Sequence, residues 1–148
     1  DRNLLHNLTN PYQTDAKRIL TVCSAGLLRS PSTAVVLNRE FGYNCRSCGI
    51  DSNYALVPIS HALIHWADEV VVMEQWMVNG VKDIIRAIFD GANADAMIDS
   101  KTIICLNIKD SYGYMDEKLQ ELIVDKYNEV ETASALQIRI NEGLNIRD

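Results

Sequence analysis

Arg18-Ile19-Leu20-Thr21-Val22-Cys23-Ser24-Ala25-Gly26-Leu27-Leu28-Arg29-Ser30-Pro31 joins two structural signals. From Ile19 to Val22 the residues are apolar or β-branched, which predicts a buried strand. Ser30-Pro31 predicts a helix start, because Ser is a favoured N-cap and Pro fits the first helical position. The eight residues Cys23 to Ser30 therefore run from the end of a strand into a helix. A helix N-terminus presents N–H groups without intrahelical partners and a partial positive charge. It is a ready anion site. A tight loop there turns successive amides inward as a nest, and Gly26 supplies the freedom to adopt positive φ.

Outward from this loop, the same alternation repeats. Ala34, Val35, Leu37 and Phe41 are read as the apolar face of the first helix, and Gly42 as its end. Tyr43 to Cys48 predicts a second strand. Ser60 is placed to cap a short helix bearing Leu63, Ile64 and Trp66. Glu69 to Met73 reads as a nearly continuous apolar strand, as in the middle of a parallel sheet. A helix over roughly 75–88 follows, with Gly80 after Asn79 as an isolated turn signal. Thr102 to Leu106 predicts a fourth strand, and Asp116 is placed to cap a long last helix carrying Leu119, Leu122, Ile123, Tyr127 and Val130. Strands alternating with helices predict an α/β fold, a four-stranded parallel sheet with helices on both faces. Residues 1–17 are polar, with turn signals, and are read as an N-terminal arm; residues 18–148 are read as one domain.

Composition bounds the function. The 47% hydrophobic and 23% charged residues are those of an ordinary soluble globular domain. No apolar run approaches the roughly 20 residues of a membrane helix, and residues 1–17 lack the apolar core of a signal peptide. The expectation is a soluble, cytoplasmic protein with no membrane partner. The net charge of −6, without a basic run, argues against nucleic acid as a partner. Oligomeric state is open. Cys45-Arg46-Ser47-Cys48 has Cys-x-x-Cys spacing, but no second pair or His cluster completes a zinc site, and packing in or beside a strand is the expected role. His61 and His65 stand four apart without an evident third ligand, so no metal is expected. No Walker-type or dinucleotide glycine pattern occurs.

The residue types in the loop specify a chemistry. The loop amides and Arg29 should depress the pKa of Cys23, giving a nucleophilic thiolate near neutral pH. Arg29 offers a planar fork that matches two phosphate oxygens. The Ser30 hydroxyl is placed to donate to the sulfur. The backbone of Ser24, Ala25, Gly26, Leu27, Leu28 and Arg29 forms the expected phosphate cradle with Ser30.

Val22-Cys23-x5-Arg29-Ser30-Pro31 resembles the signature V-C-x5-R-S-P of the low-molecular-weight protein tyrosine phosphatases. A small bacterial and phage branch of predicted protein tyrosine phosphatases is the closer likeness. The resemblance extends over about residues 18–125, through Arg46-Ser47-Cys48-Gly49, Pro58-Ile59-Ser60, Ala67 to Glu74, and Ile108-Lys109-Asp110-Ser111-Tyr112-Gly113-Tyr114. It implies a phosphomonoester hydrolase, a protein tyrosine phosphatase working through a phosphocysteine on Cys23, with no metal or organic cofactor. The implied substrate is a phosphorylated protein or a small aryl phosphate. It implies Asp110 as general acid, where a positioned acid contributes about 10²–10⁴-fold. Asp116 is the second candidate, with helix capping as its competing role, and a turn is the competing role of Asp110. Tyr112 and Tyr114 match the family's aromatics beside the acid, either as a substrate wall or as packing; Tyr54 and Leu27 are further wall candidates.

Three positions depart from the family pattern. Gly26 stands where the family usually has Asn, which removes a side-chain bond to a neighbouring Ser and leaves the role of Ser47 open. Leu28 stands where many members have a second Cys, so Cys23 lacks that protective disulfide partner. Ser111 replaces a Pro beside the acid. Two other readings share these residues. One is an arsenate reductase-like enzyme, which needs further cysteines as a relay. The other is a phosphate-binding module with weak catalysis.

Overall fold

The computed structural model describes residues 16–24, 29–51, 53–109 and 111–147, with residues 134–147 as backbone alone. Four parallel strands, β1 (Arg18–Cys23), β2 (Asn44–Gly49), β3 (Glu69–Val72) and β4 (Thr102–Cys105), lie in the order β2-β1-β3-β4. Between them run α1 (Arg29–Phe41), α2 (His61–Trp66), α3 (Gln75–Ile88) and α4 (Gly91–Ser100), and α5 (Glu117–Arg147) closes the chain. From β1 the chain first crosses to β2 on one side, and later strands are added on the other. Right-handed crossovers then put α1 and α5 on one face and α2, α3 and α4 on the opposite face. The order reverses at β1, so the end of β1 lies at the switch point where such sheets hold ligands. Most of the predicted arm, residues 1–15, lies outside the described residues.

The core follows from the pattern of the strands. Ile19, Leu20, Val22, Val70, Val71 and Val72 are buried in the two central strands. Val36 and Leu37 cover one face, with Leu119, Ile123 and Tyr127; Leu63, Ile64, Trp66, Met77, Val81 and Ile85 belong to the helices of the other. Ser60 caps α2 by accepting from the Leu63 N–H, and Asp116 caps α5 by accepting from the amides of Lys118 and Leu119. Gly42 ends α1 at φ 73°, with its amide donating to the Asn38 carbonyl.

Several expectations are corrected. The inward face of α1 is not Ala34 and Val35: Val35 is 39% exposed, whereas Ser32, Thr33, Val36 and Leu37 are buried. Buried hydroxyls hold this face by specific bonds, so a hydropathy pattern misses it. Thr33 donates to the Arg29 carbonyl, and Ser32 accepts from the Met115 amide. Ser30 lies inside α1, and its hydroxyl is directed to Cys23 and Cys48 rather than to a cap. Gly80 is no turn; it sits within α3, where an added Cβ would come within 2.6 Å of Ile50 Cδ1. The crowding atom is the terminal methyl of a flexible side chain, so the close packing of α3 on Ile50 favours a small residue there. Helix α4 was not foreseen, because Gly91 to Ser100 is rich in Ala and Asp and buries only Ala94.

The N-terminal end of the sheet is closed by a charged cluster. Glu69 is buried, accepts from the Tyr127 hydroxyl at 2.8 Å, and pairs with Lys17 at 3.0 Å. Lys17 Nζ also lies 4.6 Å from the centre of the Tyr43 ring. Burial and the Glu69 carboxylate hold the Tyr127 phenol protonated, well above its ordinary range. Burial alone would lower the Lys17 ammonium, but Glu69 outweighs it and the value is raised. A buried carboxylate left short of donors is costly. Tyr127→Phe should therefore lower stability by about 1–3 kcal/mol, read from chemical denaturation, with the fold retained. An unchanged unfolding midpoint would show that the hydroxyl adds nothing to the cluster.

Candidate active site

Parallel register brings four chain segments to one rim. Val22 pairs with Cys48 and with Val72, and Val72 pairs with Cys105, so the strands end side by side. Beyond them, the amides of Ile50 and Asp51 donate to the carbonyls of Cys23 and Ser24. The amides of Leu106 and Ile108 donate to the carbonyls of Val72 and Met73. Cys23 and Ser24, at the end of β1, are thus fastened to the turn after β2, and the turn after β3 to the chain after β4.

Cys23 ends β1 and is 4% exposed. Its Sγ lies 3.2 Å from Ser30 Oγ, and Ser30 Oγ lies 3.2 Å from the Cys48 carbonyl. With a thiol, the S–H donates to Ser30 and the hydroxyl donates to the carbonyl. With a thiolate, the hydroxyl turns and donates to sulfur. Thr21 steadies this arrangement by donating to the Ser30 carbonyl at 2.8 Å.

Arg29, the first residue of α1, is 2% exposed. A buried guanidinium needs charged or hydrogen-bonding partners. Nη1 donates to the Ile108 carbonyl at 2.8 Å and lies 3.4 Å from Glu74 Oε2; Nη2 lies 3.5 Å from the same oxygen. That oxygen also accepts from Trp76 Nε1 at 3.1 Å. Sequence reasoning missed both Glu74 and Trp76. The signal was available: each lies just past the C-terminal end of β3, where α/β sheets gather functional groups.

The other expected site residues fall as follows. Ser24 contributes its carbonyl to the Asp51 amide. Ala25, Gly26, Leu27 and Leu28 lie outside the described residues, as does Asp110. Ile108, two residues before Asp110, is the one held on Arg29. The segment around Asp110 is bounded by Asn107 at φ 55° and Met115 at φ 57°. Left-handed backbone is tolerated by Asn and costly for Met, and bonds from Met115 to Ser32 and from Gln120 to Met115 hold the second position. Asp116 is occupied with its cap. Tyr112 packs partly buried against the core, Tyr114 is exposed, and Tyr54 is 73% exposed in the turn whose Asp51 binds Ser24.

No group of three His, Cys, Asp or Glu residues among those described is arranged to hold a metal. His61 stacks on Phe89 at 4.2 Å and on His65 at 6.4 Å, which is packing. None of the four cysteines is in a disulfide. Burial pushes Cys48 up, with Cys23 adding to it, and pushes Cys45 up to about 12, with Glu69 adding and Lys17 opposing.

Solved structures share this architecture. A Wzb from Vibrio vulnificus, in complex with benzylphosphonate, superposes with a TM-score of 0.53 at 17% identity, over 82% of this chain and 99% of that one. A low-molecular-weight phosphotyrosine phosphatase from Vibrio cholerae O395 gives 0.52 at 14% identity, over 82% and 99%. The fold is that of the low-molecular-weight phosphatases. A YwlE arginine phosphatase, a cysteine-to-serine variant with a phosphorylated active-site serine, gives 0.52 at 17% identity, over 77% and 95%. No family model and no curated protein matches the chain.

Cys45 and Cys48 lie three apart on an extended strand. Their Cα atoms are thus about 10 Å apart and their side chains point to opposite faces, beyond the roughly 7 Å that a disulfide spans. Diamide treatment of the folded protein should give no Cys45–Cys48 crosslink by peptide mass spectrometry; such a crosslink would mean that β2 opens.

Proposed function

We propose that the protein is a phosphomonoesterase acting on phosphotyrosine or a similar aryl phosphate through a phosphocysteine. The observation that carries this reading is that two buried groups flank one strand-to-helix connection, Cys23 at the end of β1 and Arg29 at the start of α1. Cys23 has a hydroxyl on its sulfur, and Arg29 is fixed between Glu74 and the Ile108 carbonyl. A buried thiol at the end of β1 and a buried guanidinium at the start of α1 suit an oxyanion carrying two negative charges.

The steps follow from these groups. The Cys23 thiolate attacks phosphorus in line, forming the S–P bond as the P–O bond to the leaving group breaks. Asp110 gives its proton to the departing oxygen. Arg29 and the amides of Ser24 to Arg29 hold the three equatorial oxygens as charge spreads over them. Asp110, now a carboxylate, takes a proton from water as that water attacks phosphorus. The S–P bond then breaks, releasing inorganic phosphate and the thiolate, which Ser30 stabilises as a leaving group. The bonding of Ile108 to Arg29 supports Asp110 in this role, since it ties the backbone two residues before the acid to the phosphate clamp. No metal or organic cofactor enters the scheme.

The benzylphosphonate bound to the Vibrio vulnificus protein, an aryl phosphate mimic, supports an aromatic substrate. The arginine phosphatase makes phosphoarginine the alternative to test. An arsenate reductase-like relay is less well supported: two of the three candidate relay thiols, Cys45 and Cys48, sit within β2 and are held protonated by burial.

Cys23→Ser should reduce p-nitrophenyl phosphate turnover by at least about 10³-fold while inorganic phosphate still binds by calorimetry; retained turnover would rule out the phosphocysteine. Asp110→Asn should slow phenyl phosphate by about 10²-fold or more and p-nitrophenyl phosphate far less, because an acidic leaving group needs little protonation. Equal losses on the two esters would remove Asp110 from the acid role.

A further inference from the structure

Trp76 combines exposure with a fixed position. It is 54% exposed, yet its indole is not loose, because Nε1 donates to Glu74 Oε2. That same oxygen is the carboxylate partner of Arg29, 3.4 and 3.5 Å from its two terminal nitrogens. One oxygen therefore fixes the indole edge beside the guanidinium. The register of Val22 with Val72 sets residues 73–74 and the start of α3 alongside the end of β1.

We infer that Trp76 is a specificity-determining residue whose indole face receives the aromatic ring of the substrate. The inference rests on the reading of Cys23 and Arg29 as the phosphate site. In-line attack requires the leaving oxygen to lie opposite the sulfur. The organic group of a bound ester therefore extends away from the buried Cys23 toward the rim. The groups that meet it there include the carboxylate backing Arg29 and the indole bonded to it. A phenyl ring at this level stacks on the indole and covers surface that is otherwise wet, a contact that favours aromatic pairs in offset or edge-on geometry. The alkyl side chains of phosphoserine and phosphothreonine offer no ring, so the contact discriminates by substrate class. Tyr54 is fastened near the same rim through the backbone of Asp51, whereas Trp76 is joined to the phosphate clamp by its own side chain.

Two readouts test this, and Trp66 makes the first one clean. Trp66 is 1% exposed, so acrylamide quenching of indole fluorescence reports chiefly on Trp76. In a Cys23→Ser variant, phosphotyrosine should lower the quenching constant about twofold at saturation, while inorganic phosphate and phosphoserine leave it unchanged. Binding of all three is followed separately by calorimetry. In the enzyme with Cys23 intact, Trp76→Ala should lower kcat/KM for phosphotyrosine and p-nitrophenyl phosphate by about tenfold, mainly through KM, with β-glycerophosphate changed less than twofold. Trp76→Phe should recover most of the loss. If phosphotyrosine binds but quenching is unchanged, or if Trp76→Ala weakens aryl and alkyl phosphates equally, Trp76 is a support for Glu74 and the inference is overturned. If inorganic phosphate does not bind at all, the phosphate-site reading itself falls, and this inference with it.

Discussion

A guanidinium without solvent around it governs this end of the molecule. Arg29 is buried at the start of α1, and such a charge is tolerable only when its donors are met. They are met from two other parts of the chain, by a carboxylate just beyond β3 and a carbonyl just beyond β4. The fold is therefore tied together at its C-terminal rim by a polar constraint as well as by the burial of Met73, Leu106 and Ile108. The loop after β1, the turn leading into α3 and the chain after β4 must keep a common geometry, or a buried charge loses its partners. On the proposed reading, the same constraint orients the cation before any anion arrives.

Around that charge, hydroxyls take the place that aliphatic side chains occupy elsewhere in the core. Thr21, Ser30, Ser32 and Thr33 are all buried, and each is committed to a named backbone or sulfur atom. Such bonds fix direction as well as distance, which apolar packing does not. At the opposite end of the sheet, Glu69, Tyr127 and Lys17 form a second polar cluster. The apolar strands between them carry the hydrophobic burial.

What could be read from the sequence matches this division. The strand β1 and the helix α1 were legible because Ile19 to Val22 is apolar or β-branched and Ser30-Pro31 marks a helix start. The central strand was legible for the same reason, and the caps at Ser60 and Asp116 because capping is local chemistry. Cys23, Ser30 and Arg29 were legible as a cluster because they are close in sequence. Glu74 and Trp76 were not, since their importance comes from Arg29, 45 residues away from Glu74 along the chain. The inward face of α1 was misread because Ser32 and Thr33 look like surface residues until their partners are known. Gly80 was misread because a glycine in a helix signals a break when its neighbour, Ile50, lies on a distant segment.

That contact between Gly80 and Ile50 has a mechanical consequence. The Ile50 amide donates to the Cys23 carbonyl, and the Ile50 side chain lies against α3 where that helix has no Cβ. A single residue thus spans from the end of β1 to α3. The atom nearest an added Cβ is the terminal methyl, Ile50 Cδ1, so a small side chain at position 80 is met by rotation of Ile50 and leaves the bond to Cys23 in place.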